Sequence, residues 1–137
     1  MISWFEEHNK ISWVITIIIA ITIFSVSSLT FEGYPSFGWR TIAYHFYSFL
    51  FLGAFLLISF TKGKSKNIRF LFIGVIIALF YAIADEVHQM FVPGRACTFS
   101  DFLTDSAGIL FATLIYSLKF LSPKKEINKE YNSDLYY

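Results

Sequence analysis

Four long apolar stretches separated by short polar breaks dominate the hydrophobic pattern: Ile11 to Leu29, Thr41 to Phe60, Ile68 to Val92, and about Thr98 to Phe120. Each approaches or exceeds the ~20 residues an α-helix needs to cross a hydrocarbon core of about 30 Å. The runs are continuous rather than alternating, which predicts helices and not barrel strands. Breakers fall in the gaps: Gly33, Pro35 and Gly38 in the first, Gly63 in the second, Pro93-Gly94 in the third. The expected fold is all-α, an integral membrane bundle of four transmembrane helices over residues 1–121, followed by a polar tail at 122–137. Ser25-Val26-Ser27 would pass as a leader cleavage site, but Glu6 and Glu7 against a lone Lys10 make a poor basic n-region. The first run therefore reads as a retained span.

Composition strengthens this reading. Of 137 residues, 55% are hydrophobic, 20% aromatic and only 15% charged, where soluble proteins carry roughly 25% charged residues. Disorder is excluded, and a water-soluble fold is disfavoured. A single cysteine, Cys97, excludes an internal disulfide framework and a Cys-rich zinc site.

The net charge of +1 matters less than where the charges fall. Lys10, the Lys62/Lys64/Lys66/Arg69 loop and Lys119/Lys124/Lys125/Lys129 share one side of a four-span arrangement, and only Arg40 and Arg95 lie on the other. Nine against two is a strong positive-inside bias, so both termini are expected in the cytoplasm of a multi-pass cell-membrane protein. The tail lysines can rest on anionic headgroups. No basic outward patch supports a nucleic-acid partner.

The polar residues inside the spans gather in the outer half. The third run ends Ala84-Asp85-Glu86-Val87-His88-Gln89-Met90-Phe91-Val92-Pro93-Gly94-Arg95, and the fourth opens Thr98-Phe99-Ser100-Asp101-Phe102-Leu103-Thr104-Asp105-Ser106-Ala107-Gly108. Ionisable groups in a bilayer are costly and usually face the bundle interior along a functional path. Glu86 lies seven residues before Pro93 and Asp105 seven after Thr98, each roughly 10 Å below its helix end. His88 and Gln89 would meet Asp101 in a shallower layer. Asp85, His88 and Gln89 share a face by spacing. Asp101, Asp105, Gly108 and Ala112 form one stripe whose small residues admit a neighbouring helix.

Four carboxylates at such spacing need compensation, by protonation or by a cation. Arg95, His88 and His45 are the resident candidates, and a metal or a substrate cation the external one. His45 falls near the outer start of the second span, and Ser27 and Ser28 near the outer end of the first. All four helices can thus contribute to one outward-facing pocket.

The run Asp85-Glu86-Val87-His88-Gln89-Met90-Phe91-Val92-Pro93-Gly94-Arg95, followed by Asp101, Asp105 and Gly108, closely resembles the signature of the VanZ-like membrane proteins, D-E-x-H-Q-x-F-x-P-G-R and then D-x-x-x-N/D-x-x-G. Ser27-Ser28, and His45-Phe46 followed by Tyr47, are similar to that family's S-S and H-F elements. Where the family often has Asp-Lys before His-Phe, this chain has Thr41 and Ile42, so no role of that lysine transfers. The resemblance spans about Ser27 to Gly108. It implies a bacterial or archaeal membrane protein, the best-known relative being linked to resistance to the glycopeptide teicoplanin. It supplies no reaction.

Each polar group also has a plain structural reading. Thr98-x-x-Asp101 fits a helix-capping box. Glu86 and Asp105 lie too deep for caps and would otherwise be a hydrogen-bonded clasp between helices, which His88 and Gln89 would complete. Asp85 could anchor Arg95 or Tyr81. His45 by itself reads more as a buried hydrogen-bonding histidine than as a ligand, and Cys97 as incidental. Arg95 on a Pro-Gly turn is either an interfacial anchor or an anion receptor for phosphate or carboxylate, the receptor role being favoured because few outer-side cations compete with it.

Several named sites are unsupported. Asp85-Glu86-Val87-His88 lacks the second histidine of H-E-x-x-H. Only one acidic-x-x-His element exists where a di-iron bundle needs two. No P-loop, G-x-S-x-G or dinucleotide fingerprint occurs.

The leading expectation is a pocket of Asp85, Glu86, His88, Gln89, Arg95, Asp101, Asp105, His45 and Ser28 that binds a lipid-linked or glycopeptide ligand of the cell envelope. Two alternatives stay open. One is a membrane-embedded enzyme in which Glu86 or Asp105 is general acid or base, His88 its proton partner and Arg95 an anion clamp. A divalent ion on Asp85, Glu86, Asp101 and Asp105 is a variant of it. The other is a purely structural clasp in a membrane complex. Four helices are few for a carrier unless the chain oligomerises, and the cofactor is open.

Overall fold

The computed structural model describes residues 2–30, 38–61, 68–95 and 98–121, with Phe120 and Leu121 described by backbone only. Gly33, Pro35, Gly63, Cys97, Lys62, Lys64, Lys66 and the polar tail lie outside the described residues. Five helices follow in order: α1 Ile2–Glu7, α2 Asn9–Ser27, α3 Trp39–Thr61, α4 Ile68–Gln89 and α5 Phe99–Leu121. The last four match the apolar runs, and all four are long and apolar enough to cross a membrane, with mean hydropathies of 2.0, 1.7, 2.2 and 1.2.

Their packing inverts that of a soluble bundle. Large apolar side chains such as Ile17, Ile21, Phe72, Ile76, Phe80 and Leu110 are exposed. Ser12, Thr16, Ser59, Thr61, Asp85, Glu86, Gln89, Asp101 and Asp105 are buried. Lipid tails solvate the first set at no cost, while the second set must find partners inside.

α3 is the central helix. It packs parallel to α5, with Phe46 and Leu50 against Gly108, Gly53 against Ile109 and Ala112, and Thr61 bonded to Tyr116. Small residues permit this approach. A Cβ on Gly108 would overlap the Phe46 carbonyl oxygen and come within 3.0 Å of the Leu50 nitrogen. α2 runs antiparallel to α3: Asn9 Nδ2 donates to the Ser59 carbonyl at 2.6 Å, and Thr16 Oγ1 lies 3.2 Å from Ser59 Oγ. Tyr81 of α4 donates to the Ala20 carbonyl at 2.6 Å. Phe49, Leu52, Leu56, Ile23, Ala78, Ala82 and Ile109 form the apolar core.

Two features differ from the sequence pattern. The first is α1, six residues too short for periodicity to reveal. It is held by Phe5 edge-on to Phe55 at 5.3 Å, by Ser12 Oγ donating to the Phe5 carbonyl, and by Glu6, which accepts from Lys119 at 2.7 Å and from Tyr116 at 2.8 Å. The second is the end of α4, which stops at Gln89 instead of running to Val92. Phe91 and Val92 donate back only three residues, to His88 and Gln89, and Gly94 turns the chain at φ +79. The residue before a proline is pushed out of helical geometry, so the helix unwinds ahead of Pro93.

Among the described cations, Lys10, Arg69 and Lys119 lie toward the end of the bundle that α1 covers, and Arg40 and Arg95 toward the end formed by the Pro93–Arg95 turn.

Candidate functional site

The polar groups of the turn end are delivered by helix register. His45 is six residues into α3 and Asp105 six into α5, so two parallel helices carry them to the same depth, about 9 Å at 1.5 Å per residue. The tight Gly108–Phe46 crossing lies one residue beyond His45 on one helix and three beyond Asp105 on the other. There His45 Nδ1 and Asp105 Oδ1 form a hydrogen-bonded pair at 2.9 Å, and the two residues are 1% and 0% exposed. α4 arrives from the opposite direction and contributes Asp85 and Glu86 just before its terminus.

One potential ligand atom from each of His45, Asp85, Glu86 and Asp105 lies within 4.8 Å of the others, and all four residues are buried. This group contains His45 where the divalent-ion alternative had Asp101; the histidine is buried and hydrogen-bonded, as its plain reading expects, and lies beside the three carboxylates. It stands on a different helix from the acidic motif, and the sequence already offered it as a pocket residue. The signal that finds it is the shared six-residue offset from two helix starts.

Glu86 corrects an expectation. Read as too deep to cap, it does cap: because α4 ends early, Glu86 sits near its terminus, and Oε2 accepts the Thr98 backbone N–H at 3.1 Å. Thr98 Oγ1 in turn accepts the Asp101 N–H at 3.1 Å. The first half of the expected capping box is therefore present, and its reciprocal half comes from α4 instead of Asp101. Asp101 is thereby released from the cap; it is buried, and its Oδ1 has no hydrogen-bond partner among the described residues.

Asp85 and Gln89 share a face as expected, with Gln89 Nε2 donating to Asp85 Oδ2 at 2.8 Å. His88 does not join them. Its Nε2 lies 2.9 Å from Ser28 Oγ and its ring stacks on Phe24 at 4.3 Å, which sends it to α2. At about 100° per residue, His88 is roughly 200° around the helix from Glu86, nearly on the opposite face. Ser28 thus pairs with His88. Ser27 is fully buried, and among the described residues its hydroxyl has no partner.

The site is rich in unmet hydrogen-bonding capacity. Among the described residues, His45 Nε2, Asp85 Oδ1, Glu86 Oε1, Asp105 Oδ2 and Arg95 Nε are buried without partners. No Lys or Arg forms an ion pair with Asp85, Glu86 or Asp105 among them. Buried charges left in this state are expensive. Such an arrangement can accept protons, hold a cation, or grip a ligand that carries donors.

A family model described as VanZ/LLP1 matches residues 3–120. Nothing among curated proteins or solved structures matches the chain. The match runs from α1 to the end of α5 and so takes in all four long helices and the acidic residues they bring together; the chain belongs to the VanZ/LLP1 family.

Proposed function

We propose that this multi-pass membrane protein binds the polar head of a lipid-linked cell-envelope ligand at the turn end of the bundle, and that this end faces away from the cytoplasm. The observation that carries the reading is the convergence of His45, Asp85, Glu86 and Asp105 from three helices, with buried polar atoms left unpartnered, in a protein whose outer surface is apolar. Ordinary structural clasps satisfy their members; this group keeps capacity in reserve. Arg95, whose Nε is buried and unpartnered among the described residues, suits an anionic phosphate or carboxylate.

A cleft of about 360 Å³ between α2 and α3 supports the lipid part of the reading. It is lined by Ile18, Thr22, Ile23, Tyr44, Ser48 and Phe51, and Tyr44 stands edge-on to His45 at 5.6 Å. Ile18 and Phe51 are exposed, so an acyl or prenyl chain entering from the bilayer would reach the neighbourhood of His45. The positive-inside bias favours this end lying outside in a bacterial or archaeal cell membrane.

The test uses full-length protein in lipid nanodiscs, titrated with polyprenyl phosphate, with uncharged polyprenol, and with teicoplanin as a separate probe for a resistance role. Saturable binding of the phosphate, weakened about tenfold or more by Arg95→Gln in folded protein, is the expected result; tenfold corresponds to about 1.4 kcal/mol. Product formation would move the reading to the enzyme class. Folded protein with no affinity for any of the three probes would overturn the proposed ligand.

A further inference from the structure

We infer that His45, Asp85, Glu86 and Asp105 form a binding site for one divalent transition-metal ion of the manganese, iron or zinc class. Clustered carboxylates alone are commonplace. What sets this group apart is how each side chain is held. Asp85 is anchored through Oδ2 by Gln89, Glu86 through Oε2 by the Thr98 N–H, and Asp105 through Oδ1 by His45 Nδ1. The second polar atom of each is buried and, among the described residues, unpartnered: Asp85 Oδ1, Glu86 Oε1, Asp105 Oδ2 and His45 Nε2. For Asp85 and Glu86, one oxygen fixed by an outer hydrogen bond and the other left bare is the pattern of a metal ligand and its supporting shell. His45 Nδ1 and Asp105 Oδ1, 2.9 Å apart, stand at the separation of two adjacent ligands of one ion, which would take the place of the proton between them.

The dimensions fit. Ligand atoms about 2.1 Å from an ion stand at most about 4.2 Å apart, so a group spanning 4.8 Å closes on an ion by shifts of a few tenths of an ångström. The donor chemistry selects the ion. An imidazole among carboxylates suits manganese, iron or zinc, whereas calcium and magnesium prefer oxygen alone. A divalent ion also supplies the positive charge that no Lys or Arg brings within ion-pair distance of these carboxylates among the described residues.

The site does not depend on the lipid-linked ligand, so the metal alone is the probe. Full-length protein in nanodiscs is stripped with chelator and dialysed separately against Mn²⁺, Zn²⁺, Mg²⁺ and Ca²⁺, with bound metal quantified. The expected result is about one Mn²⁺ or Zn²⁺ per chain, with little Mg²⁺ or Ca²⁺ retained. Pulsed electron paramagnetic resonance of the Mn²⁺ form should show coupling to an imidazole nitrogen. His45→Gln and Asp85→Asn should each weaken binding by at least ~tenfold, and Glu6→Gln at the opposite end should not. If His45→Gln fails to fold, the nitrogen coupling in the unaltered protein decides. Folded wild-type protein that retains well under one equivalent, that holds Ca²⁺ as well as Mn²⁺, or whose Mn²⁺ lacks nitrogen coupling would overturn the assignment. A metal site without phosphate affinity would sink the proposed ligand and leave this inference standing; phosphate affinity without metal would do the reverse.

Discussion

Gly108 of α5 lies directly on the backbone of Phe46 of α3, so closely that a methyl group at residue 108 would overlap the Phe46 carbonyl oxygen. Because the obstacle is backbone on a packed helix, it cannot rotate aside. This crossing holds α3 and α5 at the separation at which His45 and Asp105 meet at 2.9 Å. Gly108→Ala is therefore expected to destabilise the bundle by about 1–3 kcal/mol, the usual cost of overpacking. Gly53→Ala, where the nearest atoms are 3.4 Å away, should cost far less. Thermal unfolding of both variants in one detergent checks the contrast.

Glu86 has two roles that substitution separates. Glu86→Gln keeps an oxygen able to accept the Thr98 N–H, whereas Glu86→Ala removes the cap. The alanine variant should lose about 1 kcal/mol more stability than the glutamine variant, in line with the loss of other helix caps. Metal binding should fall in both. Paired unfolding and binding curves measure the difference.

His45 and His88 should behave differently although both lie at the turn end. His88 pairs with Ser28 and stacks on Phe24, so His88→Gln is expected to leave Mn²⁺ affinity within about twofold, less than 0.5 kcal/mol. His45→Gln should lower it by at least ~tenfold. Equilibrium dialysis of both variants distinguishes a pocket that uses His88 from one that excludes it.

The orientation that the charge bias favours is directly measurable. In a chain lacking Cys97, a cysteine introduced at exposed Pro93 should react with a membrane-impermeant thiol reagent on intact cells. A cysteine at exposed Lys10 should react only after lysis. The opposite pattern would place the acidic centre at the cytoplasmic face.

Much of this protein could be read from its amino-acid sequence. The four long helices follow from apolar runs of the length a bilayer requires, since backbone hydrogen bonds in lipid must close within each segment. The acidic composition of the site was equally legible, because charged residues inside such runs stand out at once. Tertiary structure alone decided which of those residues meet. The unwinding of α4 ahead of Pro93 brought Glu86 to the start of α5 and made it a cap. The helical turn from Glu86 to His88 carried that histidine to α2. The register of α3 on α5, set where Gly108 meets Phe46, brought in His45 from a distant run. Local pattern specifies which stretches are helical and which faces are polar; rotation and depth of one helix against another depend on contacts between residues far apart in the chain, which no single stretch contains.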